Sequence, residues 1–255
     1  MSIDACARMV ERGDADRFMS AMTAPRALRP RLMVLYAFNL EIARASWLTD
    51  EAMIAEMRLQ FWRDTLDAIV TGGTSRAHDV ALPLAELASE AALDFEALRA
   101  MIDARAHDIA RAPFGDAVAL DHYLAATGGN LMWATAQALG AKPGDEAAIR
   151  GCGAASGLAA LLQAIPGLKA RGWQPLSSTS PDAIAALAET GLARLSAGRQ
   201  IARGPWGAAL RSGWMSAAIL KAARRDPSAI AAGRLQFSEF RRRGSLLYKT
   251  LVNRW

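Results

Sequence analysis

Two stretches without a formal charge, His122 to Ala141 and Gly151 to Leu168, constrain this chain more than any other feature. Each approaches the roughly 20 predominantly apolar residues that crossing a bilayer requires. The first, however, contains Gly128, Gly129, Asn130 and Gln137, and the second Gly153, Ser156, Gly157, Gln163 and Pro166. That content suits helices at the centre of a bundle, wrapped by amphipathic ones. Gly128, Gly129, Gly153 and Gly157 leave two options open: close helix packing, or space for a ligand between helices.

Alanine and leucine supply most of the 52% hydrophobic content, aromatics only 7%, and no stretch alternates Val, Ile and Thr as a half-buried strand would. The expectation is an all-α protein in one domain over residues 1–255. Asp14 is expected to cap a helix through Met22, and Pro25 to open one running to about Trp47. Thr49 is read as the cap of the next helix, with Met53, Met57, Phe61 and Leu66 as its core stripe and Gly72-Gly73 as its stop. Residues 71–79 read as a loop, Pro83 starts a short helix, and Asp94 and Asp116 cap two more. Further helices are expected over 181–197, 205–224 and 236–253.

Cys6 and Cys152 are too few and too isolated for a disulfide framework, which points to a reducing compartment. The polar opening around Asp4 lacks the apolar run of a secretory signal, so the chain is expected to begin at Met1 and to be cytoplasmic. Charge is uneven: residues 1–127 carry 13 basic and 19 acidic side chains, residues 128–255 carry 17 and 6, and +7 is concentrated from Lys221 onward. A cationic C-terminal end implies an anionic partner.

Four segments, "RPRLMVLYAFNLEIARA" (29–45), "MRLQFWRDTLDAI" (57–69), "YLAATGGNLMWATAQALG" (123–140) and "GAASGLAALLQAIPGLKARGWQPL" (153–176), resemble in order and spacing the squalene/phytoene synthase family. The resemblance implies an isoprenoid-synthase-type helical bundle around a central apolar cavity. It implies cavity-lining roles for Phe38, Asn39, Glu41, Tyr123, Gly128, Asn130, Gly157, Ala160 and Gln163. Active members hold Mg²⁺ and prenyl diphosphates between two aspartate-rich motifs, because each leaving pyrophosphate is a polyanion.

Here both motifs depart from the pattern. Ala43, Arg44 and Trp47 stand where the first motif's carboxylates belong, and Ala164 and Leu168 replace those of the second. The expectation is therefore no catalytic residue, no metal and no cofactor; Mg²⁺ enters only under the alternative of an active prenyl transferase. "LLQAIPGLKARGWQPL" also resembles the aspartate-lacking branch that includes the mitochondrial complex I assembly factors. That resemblance implies respiratory complex I subunits or assembly intermediates as partners, with an apolar prenyl lipid as an alternative ligand.

Asp64 with Asp67, and Asp103 with His107, have ligand-like spacing but read as solvated helix faces. His78 and His122 have no candidate nucleophile beside them. In the C-terminal segment, Arg241, Arg242 and Arg243 adjoin Leu247, Leu251 and Trp255. The reading is either a peripheral contact with an anionic inner-membrane surface or a terminal helix docked on the core. Nucleic acid is disfavoured, since no aromatic-basic interleaving, recognition helix or zinc motif accompanies the charge.

Overall fold

The computed structural model describes residues 3–73, 77–201 and 204–255, so the middle of the expected 71–79 loop and the start at Met1 lie outside the described residues. The described residues form α-helices and no strand. In chain order the helices are α1 (Ile3–Gly13), α2 (Ala15–Met22), α3 (Arg29–Arg44), α4 (Ala52–Val70), α5 (Ala81–Glu90), α6 (Phe95–Ala104), α7 (Ala106–Ala110) and α8 (Ala117–Leu124). Then come α9 (Asn130–Ala138), α10 (Glu146–Ala170), α11 (Pro181–Gly198), α12 (Gly207–Leu210), α13 (Ser216–Arg225), α14 (Ser228–Ala231) and α15 (Glu239–Leu251).

Local chemistry sets many of these boundaries. Asp14, Asp94 and Asp116 each accept a hydrogen bond from the backbone N–H three residues on, satisfying a donor that the first helical turn leaves free. At the other end of α10, Gly172 takes a positive φ and the Trp173 N–H reaches back to the Leu168 carbonyl at 3.0 Å. The helix passes through Pro166, which lacks the N–H that would bond the Leu162 carbonyl.

The two uncharged stretches lie at the centre. α10 packs against α8, α9, α11, α13 and α14, and joins the two halves of the apolar core: Ile149 and Cys152 belong to one, Leu158, Leu162 and Ile165 to the other. Residues 143–170 are long and apolar enough to cross a membrane by length and composition alone, but half of that window is buried within the bundle. Between α8 and α9 the chain continues as a π-helical turn over 125–129. There Gly128 and Gly153 bring two helices so close that a Cβ on Gly128 would stand 2.6 Å from the Gly153 carbonyl oxygen. These glycines serve close packing.

Four expectations are corrected. Met53 and Met57 are 72% and 65% exposed; the buried face of α4 is Ala55, Leu59, Trp62 and Leu66. Thr49 does not cap α4: Glu51 takes that position, and the Thr49 hydroxyl accepts from the Glu51 N–H at 3.1 Å. The single helix expected over 205–224 is broken at 211–215, where Gly213 packs against Ser156 of α10. Ile3–Gly13 also forms a strongly amphipathic helix, seating Cys6 and Val10 against α3, where no helix was expected.

Burial pushes both thiols, Cys6 and Cys152, up to about 11. Thiolate is the reactive form, so iodoacetamide at pH 8 is expected to leave both cysteines unlabelled in the native protein and to label both after denaturation. Labelling of either in the native state would contradict this packing.

Candidate functional site

A cavity of about 130 Å³ lies between α2, α10 and the 211–216 turn. Gly128, Gly157, Ala160 and Gln163 line it. Asp14, Asp16, Arg17, Ser156, Ser212 and Ser216 also line it, none of which the sequence offered as cavity lining. Asp14-x-Asp16-Arg17 looks like an ordinary helix start, and only the packing of α2 against α3, α12 and the 211–213 turn brings it to the cavity. Both carboxylates are already paired: Asp14 with Arg17 at 2.5 Å, and Asp16 with Arg242 of α15. Gln163 donates to the Leu235 carbonyl at 2.8 Å, which ties α10 to the segment before α15.

The other residues expected to line a cavity lie elsewhere. Phe38 is fully buried, edge-on to Trp62 at 5.3 Å. Asn39 is buried on α3, and Glu41 is half-buried, facing Cys6 of α1. Asn130 is a strut: its Nδ2 donates to the Ala97 carbonyl at 3.1 Å and its Oδ1 accepts from Arg150. The Tyr123 hydroxyl donates to Asp108 Oδ1 at 2.7 Å and accepts from Arg105 at 2.8 Å. Burial is the main cause of its raised pKa, with Arg105 opposing.

The positions that the resemblance aligned with the family's two metal motifs carry no carboxylate. Ala43 is half-buried, and the Arg44 guanidinium packs over Gly13. Trp47 packs on Trp173 with ring centroids 6.0 Å apart, and the guanidinium carbons of Arg111 and Arg171 lie 5.7 and 5.2 Å from the Trp47 ring. Trp173 is fixed by its indole N–H to the Ala112 carbonyl at 3.1 Å, and His107 and Phe114 extend the aromatic file behind it. On α10, Ala164 is exposed and Leu168 half-buried. Two guanidiniums and an indole thus lie where the resemblance would place Mg²⁺, an ion that takes hard oxygen ligands. The donor set does not fit the ion.

The acidic pairs with ligand-like spacing are tied up separately. Asp64 accepts from Gln60, Asp67 pairs with Arg99, and Asp103 pairs with Arg63 at 2.8 Å, while His107 stacks on Phe114 at 4.1 Å. His78 Nδ1 accepts from the Val80 N–H, and His122 is exposed. Among the described residues, no group of three or more His, Cys, Asp or Glu side chains could hold a metal ion.

An all-α cage with its two uncharged helices at the centre is the isoprenoid-synthase type of fold. Solved structures share it: a dehydrosqualene synthase bound to a ligand superposes with a TM-score of 0.83 at 12% identity, covering 98% of this chain and 95% of that one. A squalene synthase from Alicyclobacillus acidocaldarius gives 0.75 at 17% identity, covering 89% and 94%. Residues 10–203 match the model of the squalene/phytoene synthase family, and the chain belongs to that family. Among curated relatives, the NADH dehydrogenase (ubiquinone) complex I assembly factor 6 homolog of Drosophila melanogaster is 30% identical over 168 residues, 63% of this chain and 50% of that protein. The Homo sapiens assembly factor 6 is 26% identical over 163 residues, 63% and 48%. The chain spans about half the length of the curated relatives it matches.

Proposed function

We propose that this protein acts by binding rather than by prenyl transfer, as an assembly factor for respiratory complex I working at the cytoplasmic face of a membrane. The observation that carries the non-catalytic reading is Trp47, seated against Trp173 with two arginines over its ring where the first motif requires a carboxylate. Without metal ligands, ionisation of a prenyl diphosphate loses the electrostatic stabilisation that is usually the largest catalytic contribution. The pocket between α2, α10 and the 211–216 turn points the same way: at about 130 Å³, with two ion-paired carboxylates in its wall, it is smaller than the roughly 300 to 1,000 Å³ of small-molecule pockets. The assembly role is supported by the similarity to assembly factor 6.

Two measurements test this. Purified protein with a prenyl diphosphate and Mg²⁺ is expected to release pyrophosphate no faster than the blank. Turnover at enzymatic rates, lost on Asp14→Asn or Asp16→Asn, would overturn the non-catalytic reading. Deleting the gene is expected to lower assembled complex I and NADH oxidation in membranes, and normal levels of both would remove the assembly role.

A further inference from the structure

We propose that the outer face of α15, together with the cleft at its C-terminal end, docks on the surface of an anionic phospholipid bilayer. The helix is anchored by its inner face. Leu246 is buried, Arg242 pairs with Asp16 of α2, the Trp214 indole donates to the Arg242 carbonyl at 3.1 Å, and Lys249 donates to the Trp214 carbonyl at 2.7 Å. Trp255 turns inward too, donating to the Gly198 carbonyl at 3.2 Å. Of the residues the sequence offered as membrane contacts, Arg242 and Trp255 therefore hold the helix in place, while Arg241, Arg243, Leu247 and Leu251 face out.

At 100° per residue, Phe240, Gly244, Leu247 and Leu251 fall on one line along that outer face. Phe240 is 90% exposed, Leu247 62% and Leu251 76%. Exposed Arg243 flanks the line on one side, Arg241 and Tyr248 on the other. Three large apolar side chains on a firmly docked helix form a contiguous patch of the kind that marks an interaction site.

The cleft lies where the line ends, sharing Tyr248 with it. About 460 Å³ in volume, it sets Arg199, Lys249 and Arg254 around Ile201, Tyr248 and Trp255. Among the described residues no carboxylate pairs with any of those three cations. Lys249 is held below the usual lysine range by burial and by neighbouring Arg199.

An apolar line bordered by cations and ending in an unneutralised basic cleft matches the layering of an anionic membrane surface, with phosphates above and acyl chains below. The single acid of α15, Glu239, is spent on Arg242 and Arg243. A 13-residue helix lying in the plane would lay about 20 Å of this face against the headgroups. This surface faces away from the central cavity and does not depend on the assembly reading, since lipid binding is measured with no respiratory subunit present.

The test is flotation of the full chain with vesicles of phosphatidylcholine, with and without about a third phosphatidylglycerol. Binding to the anionic vesicles is expected to be at least about tenfold tighter, and to weaken several-fold at about 0.5 M salt as screening shortens. Leu247→Ser with Leu251→Ser is expected to abolish most of it, and Arg199→Gln with Arg254→Gln to reduce it to the neutral-vesicle level, both with unchanged melting. Equal affinity for neutral vesicles, no vesicle binding, or variants that bind like the parent would overturn the proposal. So would saturable binding of glycerol phosphate, or of an acidic protein, by a chain that ignores vesicles.

Discussion

Gly153→Ala is expected to destabilise the protein, and Gly167→Ala, fourteen residues along the same helix, to stabilise it. In an unobstructed helix, replacing glycine by alanine gains up to about 1 kcal/mol through a smaller loss of backbone entropy. At Gly167 nothing lies within 4 Å of the new methyl group, so that gain should emerge as a melting temperature higher by about 2–4 °C. At Gly153 the methyl would stand 2.7 Å from Met132 Cβ and 2.8 Å from Gly129 Cα. The second of these is backbone and cannot rotate away. The π-helical turn and α10 would have to separate, and overpacking of this kind costs about 1–3 kcal/mol, sometimes more. After subtraction of the propensity gain, a fall of up to about 8 °C is expected. Calorimetry of the two variants beside the parent decides it. Equal shifts would mean that the helix crossing is looser than described, which would reopen the reading of these glycines as room for a ligand.

The central position of the uncharged helices was legible because a charge-free segment has few other places to go, and the capping aspartates were legible because an Ncap carboxylate acts locally. The buried face of α4 was misread for a geometric reason. Steps of four residues drift by 40° each, so Met53, Met57 and Phe61 wander around the helix and Leu66 falls far from them. Ala55, Leu59, Trp62 and Leu66 alternate steps of four and three and stay on one line, which is the face that is buried.

That Ala43, Trp47, Ala164 and Leu168 carry no carboxylate could be read directly, since residue identity is a property of single positions. What packs around Trp47 could not. Trp47 meets Trp173 and Arg171 from more than a hundred residues away, and Arg111 from a third segment. Nor could the pairing of Asp16 with Arg242 be anticipated, which closes the cavity wall with the same helix that offers Phe240, Leu247 and Leu251 to a partner.

Asp108→Ala is expected to have the largest single effect on stability, and to do so beside the aromatic file. Asp108 is buried on α7, accepting from the Tyr123 hydroxyl at 2.7 Å and from Arg105 at 3.0 Å. Removing one partner of a buried ion pair leaves the other charge uncompensated, at a cost of about 3–5 kcal/mol. Here Arg105 Nε already lacks a hydrogen bond, so the orphaned guanidinium would keep only Tyr123 and would be drawn toward solvent. For a chain of this size the melting temperature should fall by roughly 6–20 °C. Replacing the whole network at once, with Arg105→Met, Asp108→Leu and Tyr123→Phe, should recover most of that loss, because similar apolar volumes need no charge balance. If Asp108→Ala melts like the parent, the network contributes nothing. If the triple variant melts lower still, packing rather than charge is what these side chains supply. Tyr123 and His107 both lie against Phe114, and His107 faces Trp173, so loosening this corner should also free Trp173 from Trp47 and change the tryptophan emission before the protein unfolds. That early change would link the buried charges to the contact between Trp47 and Trp173.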